Sequence, residues 1–225
     1  DTVVTQKFES FKSELIEKRT QLEDFIAILP TTSELKIKLE HLIDSGKNNI
    51  MELKTILDHH FSQGSIDVNI MTKIDKDNFS DDEQLPVIYN DAHAALRGFV
   101  NSTTNSSVVF SAGMNPRLYS YMETFDAFYP KANGQFQKKI ILKVSDFRSA
   151  MIQGNFFAKK GIWVSEYRVE SGLNCGGHAF ATDGLLLGPI MEEFKQKKND
   201  LIASSHELMV NALTQKELPV PLHCE

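Results

Sequence analysis

From Ile66 onward the hydrophobic pattern switches between a strand period and a helix period four times in succession, and this alternation limits the fold more than any other feature. Ile66-Asp67-Val68-Asn69-Ile70-Met71 reads as a strand; an Asp-rich polar loop, Lys73 to Glu83, leads to a helix from about Pro86 to Val100. Ser107-Val108-Val109-Phe110-Ser111 is a second strand, after which Asn115-Pro116 supplies a cap and a first-turn proline for a helix to about Tyr129. Lys139 to Ser145 is a third strand, and Asp146 caps a helix that Gly161 terminates. Ile162 to Val169 is the fourth, followed by a glycine-rich loop, Gly172 to Gly184, and a long helical stretch from about Pro189 to Leu213. The strands are rich in β-branched residues and the connections are long enough for parallel crossovers, so the pattern predicts a parallel α/β sheet. The choice lies between an open doubly wound sheet and part of a (β/α)8 TIM barrel. Four units are half a barrel, so residues 64–225 are expected to be a partial barrel domain, incomplete at the C-terminus.

Residues 1–63 follow a different pattern. Phe8, Phe11, Leu15, Leu22, Phe25 and Ile26 recur at spacings of three, four and seven, as one buried helix face requires. Pro30 ends that run, Thr32-Ser33 offers an N-cap for a helix carrying Leu35, Leu39, Leu42 and Ile43, and Gly46 breaks the chain before Ile50, Leu53, Ile56 and Leu57. This helical N-terminal region carries no evident chemistry. His59 and His60 are adjacent and point apart on a helix, which suits a solvated helix end better than a metal pair.

Composition removes several functions. With 24 Lys+Arg against 30 Asp+Glu the 225-residue chain has a formal charge of −6 and no basic stripe, a poor basis for nucleic-acid binding. No apolar run approaches the ~18 to 20 residues of a membrane span. Asp1-Thr2-Val3-Val4 enters a polar helical pattern rather than a signal peptide, and the missing initiator Met suggests a processed chain or a fragment. The two cysteines, Cys175 and Cys224, make neither a disulfide framework nor a metal ribbon, so a reduced, cytoplasmic setting and no metal site are expected.

In parallel α/β folds the sites collect at the carboxyl ends of the strands. There the sequence places Asn69 and Lys73, Ser111 and Gly113, Lys143 and Ser145, and then Glu170 with the loop running to His178. Gly176-Gly177 permits positive φ and lets backbone amides approach a flat or anionic ligand. His178 follows directly and can exchange a proton near neutral pH; the plainer reading is a tight turn whose His caps the next helix. Cys175 reads as a small neutral filler rather than an activated nucleophile.

The fourth strand with Glu170-Ser171-Gly172 and Cys175-Gly176-Gly177-His178 resembles the strand and loop of nitronate monooxygenases, also called 2-nitropropane dioxygenases, in which a Glu-Ala-Gly-Gly-His-type signature follows the strand. Val68-Asn69-Ile70 looks like the family's Val-Asn-Leu strand, Val108 to Gly113 is similar to its next strand, and Lys143-Val144-Ser145 with the helix bearing Ala150 and Gly161 falls in the same order. The likeness spans about residues 66–194. Asn174-Cys175 stands where the family has Glu-Ala, and the loop is longer by several residues. The resemblance implies an FMN-dependent (β/α)8 oxidoreductase acting on a small molecule. It assigns His178 as the acid/base and Asn69, Lys143, Gly176 and Gly177 to the flavin, with the phosphate-binding loops expected beyond residue 225. The partners expected are a small-molecule substrate and either a second copy or the remainder of a longer chain, with no nucleic acid and no membrane. The alternatives are a non-catalytic α/β interaction module and a non-flavin barrel enzyme, such as an aldolase using Lys143 as a Schiff base.

Overall fold

A computed structural model describes residues 2–46, 49–72, 74–104, 106–111, 113–170 and 187–224. The chain separates into two compact units, 1–65 and 66–225.

The first unit is four helices: α1 (Thr2–Glu17), α2 (Arg19–Ile28), α3 (Glu34–Asp44) and α4 (Ile50–His60). Ser33 caps α3 by accepting from the Lys36 N–H at 3.5 Å, and Asn49 caps α4 by accepting from the Glu52 N–H at 3.1 Å. Gly46 takes φ +64°, the left-handed turn that ends α3. The apolar stripes close on a core of Leu15, Leu22, Phe25, Leu35, Leu39, Leu42, Leu53 and Leu57. His60 meets the Lys38 ammonium and His59 contacts the Thr55 carbonyl, so neither converges on a metal.

The second unit holds strands β1 (Val68–Met71), β2 (Phe79–Ser80), β3 (Glu83–Gln84), β4 (Ser107–Ser111), β5 (Lys139–Val144) and β6 (Glu166–Val169). Its helices are α5 (Asp91–Asn101), α6 (Pro116–Tyr121), α7 (Phe147–Ala158) and α8 (Leu187–Gln215). β1, β4, β5 and β6 form one parallel sheet in that order. The even-numbered side chains of β1, β4 and β5 (Ile70, Val108, Phe110, Ile140, Leu142, Val144) pack with Tyr167 and Val169 of β6 in a single core. Ala92, Leu96 and Phe99 of α5, Leu118 and Tyr119 of α6, Ala150 and Phe157 of α7, and Ile190, Phe194 and Leu201 of α8 belong to that same core. All four helices therefore cover one face. A doubly wound sheet reverses its strand order and places helices on both faces; here the order follows the chain and no reversal occurs among the described strands. The connection pattern is singly wound.

Several element boundaries differ from the sequence reading, each for a local reason. The Asp-rich loop contains the hairpin β2–β3, turned by Asp81 and Asp82 at φ 49° and 69°, a primed turn that the two aspartates tolerate. The helix expected from Pro86 is a 3₁₀ turn at Val87–Tyr89 followed by α5, because Asn90 takes extended backbone between them. The helix expected to reach Tyr129 is α6 alone, followed by 3₁₀ turns at Met122–Thr124 and Asp126–Phe128. Ile162–Ser165 lead into β6 outside its ladder, although the Ser165 N–H already donates to Ile140. Among the described residues, no helix is long and apolar enough to cross a membrane.

Candidate functional site

The face of the sheet turned away from the helices carries the odd-numbered residues of β1, β4 and β5 and the even-numbered residues of β6. The register aligns Asn69 with Val109, Val109 with Ile141, and Ile141 with Glu166. One step toward the carboxyl ends, Met71 stands level with Ser111, and Lys143 with Arg168. This face is mostly polar, and its polar groups are paired. The Ser111 hydroxyl donates to Asn69 Oδ1 at 2.8 Å. Lys143 Nζ meets Glu170 Oε1 at 2.8 Å, with both side chains mostly buried. Arg168 Nε bonds Glu166 Oε1 at 2.5 Å, and its Nη2 bonds Asp67 Oδ2 at 2.8 Å.

The last contact fixes the shape of the face. Asp67 precedes β1 at one edge, and Arg168 lies on β6 at the other. On a flat sheet their Cα atoms, three strands and four residues apart, would be separated by roughly 20 Å. The two side chains cannot span that distance, so the sheet must twist and coil until its opposite corners approach across this face. The face is thus concave. Val109 and Ile141 on this face are 3% and 2% exposed and lie outside the core shared with the helices. Carboxyl-ward of that bridge, Asn69 and Met71 remain exposed.

Of the residues assigned to a site from the sequence, Asn69 and Lys143 lie on this concave face, on the edge strand β1 and the inner strand β5. Gly113 follows β4 at the same end of the sheet. Gly176, Gly177 and His178, together with Lys73 and Cys175, fall outside the described residues. Among the described residues the Asn69 amide has Ser111 as its hydrogen-bond partner, which occupies its oxygen and leaves its NH2 as a donor. The face thus presents an exposed amide donor beside a hydroxyl, and an ammonium–carboxylate pair on the inner strand β5, hydrogen-bonding groups of the kind a flavin ring edge takes.

A second cluster at the same end was not picked out from the sequence. Asp75, in the loop after β1, accepts from the Ala92 N–H at 3.1 Å, contacts His93 Nδ1 at 3.0 Å, and accepts from Asn115 Nδ2 at 3.2 Å. Its side chain is 5% exposed and that of His93 1%. Burial opposes ionisation of Asp75, but the hydrogen bonds from His93 and Asn115, the imidazole's charge and the α5 N-terminal amide outweigh it and hold the carboxyl below its ordinary range. Asn115 Nδ2 also reaches the Thr72 carbonyl at 3.1 Å, and Thr72 Oγ1 donates to the Ser111 and Gly113 carbonyls at 2.9 and 2.5 Å. The cluster therefore ties the loops after β1 and β4 together and fixes the floor beside Asn69. The available sequence signal was weak: one Asp, one His and one Asn separated by 18 and 22 positions, brought together only by the parallel pairing.

Lys138, 2% exposed, is buried at the opposite end, where its Nζ donates to the Ser102 and Thr104 carbonyls and lies 4.7 Å from the Phe99 ring. It closes the C-terminus of α5 and is remote from the candidate site.

Compared with known proteins, the chain matches no family model, no curated protein and no solved structure.

Proposed function

We propose that the second unit is a portion of a (β/α)8 barrel and that the concave carboxyl end of its sheet holds FMN in an oxidoreductase of the nitronate monooxygenase type. The observation that carries this reading is the singly wound parallel sheet, coiled so that Asp67 and Arg168 meet, with Asn69 and Lys143 on its concave face. Barrel enzymes place their chemistry on that face at that end. FMN would supply hydride and electron transfer. Asn69 would hydrogen-bond the ring edge, and Lys143, oriented by Glu170, would stabilise negative charge near it electrostatically. Glu170 stands at this rim, and in this reading Gly176-Gly177, a few positions further on, would bring backbone amides close to the ring while His178 would exchange a proton with a small substrate. The Schiff-base alternative draws no support from Lys143, whose amine is bonded to a carboxylate rather than set in apolar surroundings.

The test is turnover of an alkyl nitronate by the FMN-reconstituted protein, read beside thermal melting. His178→Ala is expected to lower turnover by ~10²- to 10⁴-fold while leaving melting and FMN affinity nearly unchanged. A lowered melting midpoint with unchanged turnover per folded molecule would reduce His178 to a turn-stabilising role.

A further inference from the structure

The turn that leads into β5, at the amino-terminal end of the sheet, holds an Asn-Gly pair, Asn133-Gly134. This dipeptide is the one most open to attack by the backbone on a side-chain amide, because no side chain on the second residue shields its nitrogen. Asn133 is exposed and Gly134 is buried. Three sets of contacts hold the pair away from reaction. The Gly134 N–H donates to the Lys131 carbonyl at 2.9 Å. The Asn133 amide is engaged at both ends: its Oδ1 accepts from the Gln135 N–H at 3.1 Å, and its Nδ2 donates to Gln135 Oε1 at 3.0 Å. Gly134 takes φ +81°, and a Cβ built there would run into the His223 carbonyl oxygen, so the C-terminal segment is packed directly on the turn. That segment is anchored by Leu218 and Cys224, which pack against the cluster of Ala158, Met209 and Leu213.

We infer that Asn133-Gly134 is a modification site gated by the C-terminal segment: it converts to isoaspartate and aspartate when residues 218–224 lift from the turn, and it stays an amide while they are seated. In the reaction the Gly134 nitrogen gives up its proton to solvent and bonds to Cγ of Asn133. Ammonia leaves, and one water opens the resulting succinimide at either of its carbonyls, so the net change is one water consumed and one ammonia released. To form that bond the peptide between 133 and 134 must rotate, which breaks the contact with Lys131 and needs room that the His223 main chain fills. Isoaspartate adds a methylene to the main chain inside a turn that the Lys131 N–H closes on the Gln135 carbonyl at 2.9 Å. The product no longer fits beneath His223, and the release becomes permanent. This site is independent of the flavin reading, because it lies at the other end of the sheet and uses none of the same residues.

The experiment is peptide mapping by mass spectrometry of the full chain, incubated at mildly alkaline pH both folded and in urea sufficient to unfold it. Conversion at Asn133 is expected to be slower in the folded chain by about tenfold or more, since only the opened fraction reacts. Leu218→Ala and Cys224→Ala, which loosen the anchor at its two ends, are each expected to raise the folded rate about three- to tenfold and to leave the rate in urea unchanged. Cys224→Ala is the second variant should Leu218→Ala fail to fold. Leu222→Ala, at a side chain of the same segment that is 95% exposed, should move neither rate. Equal rates in the folded and unfolded chain, or a folded rate that neither anchor variant moves, would overturn the gating. Absence of conversion at Asn133 in urea would overturn the site itself.

Discussion

Asp75 shows how much of the candidate site one buried residue can hold. It accepts from three donors, two at the start of α5 and one at the N-cap of α6, and is almost sealed from water, so Asp75→Ala leaves the Ala92 amide and the His93 ring without this acceptor and the Asn115 amide with the Thr72 carbonyl alone. The expected loss is about 3 kcal/mol of stability. Trp163, the sole tryptophan, belongs to the same unit and is the probe with which to follow its unfolding by denaturant. The pH dependence has a definite sign. The folded carboxyl titrates below its unfolded value of about 3.9, so the stabilisation is fully present above that value and is lost as pH falls through the lower, folded value. Asp75→Asn should therefore flatten the acid side of the stability curve, and an acid limb identical to that of the unaltered chain would remove Asp75 from the charged network. None of this was legible residue by residue, because hydrogen bonds between residues 40 positions apart follow from strand pairing and leave no local pattern. The places of Asn69 and Lys143 toward the carboxyl ends of two strands were legible from the strand boundaries, whereas the face each side chain takes depends on the register of its strand.

At the scale of elements, local rules and packing disagree at Gly154. A glycine in the middle of a helix ordinarily gains up to about 1 kcal/mol on replacement by alanine. In α7, however, a Cβ at 154 would come to 2.1 Å of the Tyr167 hydroxyl. That hydroxyl is held against Ser205, and burial has raised its pKa to about 12, so it has little room to retreat. Gly154→Ala is therefore expected to destabilise the unit by roughly 1 to 3 kcal/mol, a reversal of sign. Restoration of the ordinary gain by Gly154→Ala combined with Tyr167→Phe would identify the hydroxyl as the obstacle, whereas a simple gain in Gly154→Ala alone would show that the helix–strand contact is looser than described. The same interplay explains the legibility of the elements. Caps such as Asp146, which accepts from the Ser149 N–H at 2.6 Å, and stops such as Gly161 at φ +79° are written in single residues and were readable. The break at Asn90, and the 3₁₀ turns after Tyr121, were not. There the chain leaves the helix to satisfy contacts elsewhere, as when the Asn90 amide donates to Asp77 at 2.7 Å.

At the scale of the whole molecule, the alternation of strand and helix predicted a parallel sheet, and four parallel strands are present. The sequence left open whether that sheet is singly or doubly wound, because periodicity does not record which face a crossover helix covers. Among the described strands the order β1-β4-β5-β6 has no reversal and the helices share one face, a pattern common to part of a barrel and to one half of a doubly wound sheet. The opposite face is where the proposed flavin site lies. The most direct measurement is a fluorescence titration of FMN against the full chain and against three variants: Asn69→Ala and Lys143→Ala on the concave face, and Lys195→Ala, a solvated position on α8, as control. Saturable quenching by the unaltered chain is expected, weakened about five- to tenfold by each concave-face variant, as the loss of one hydrogen bond or charge contact implies, and unmoved by the control. Absence of saturable quenching, or equal affinities across all three variants, would contradict a flavin site on this face.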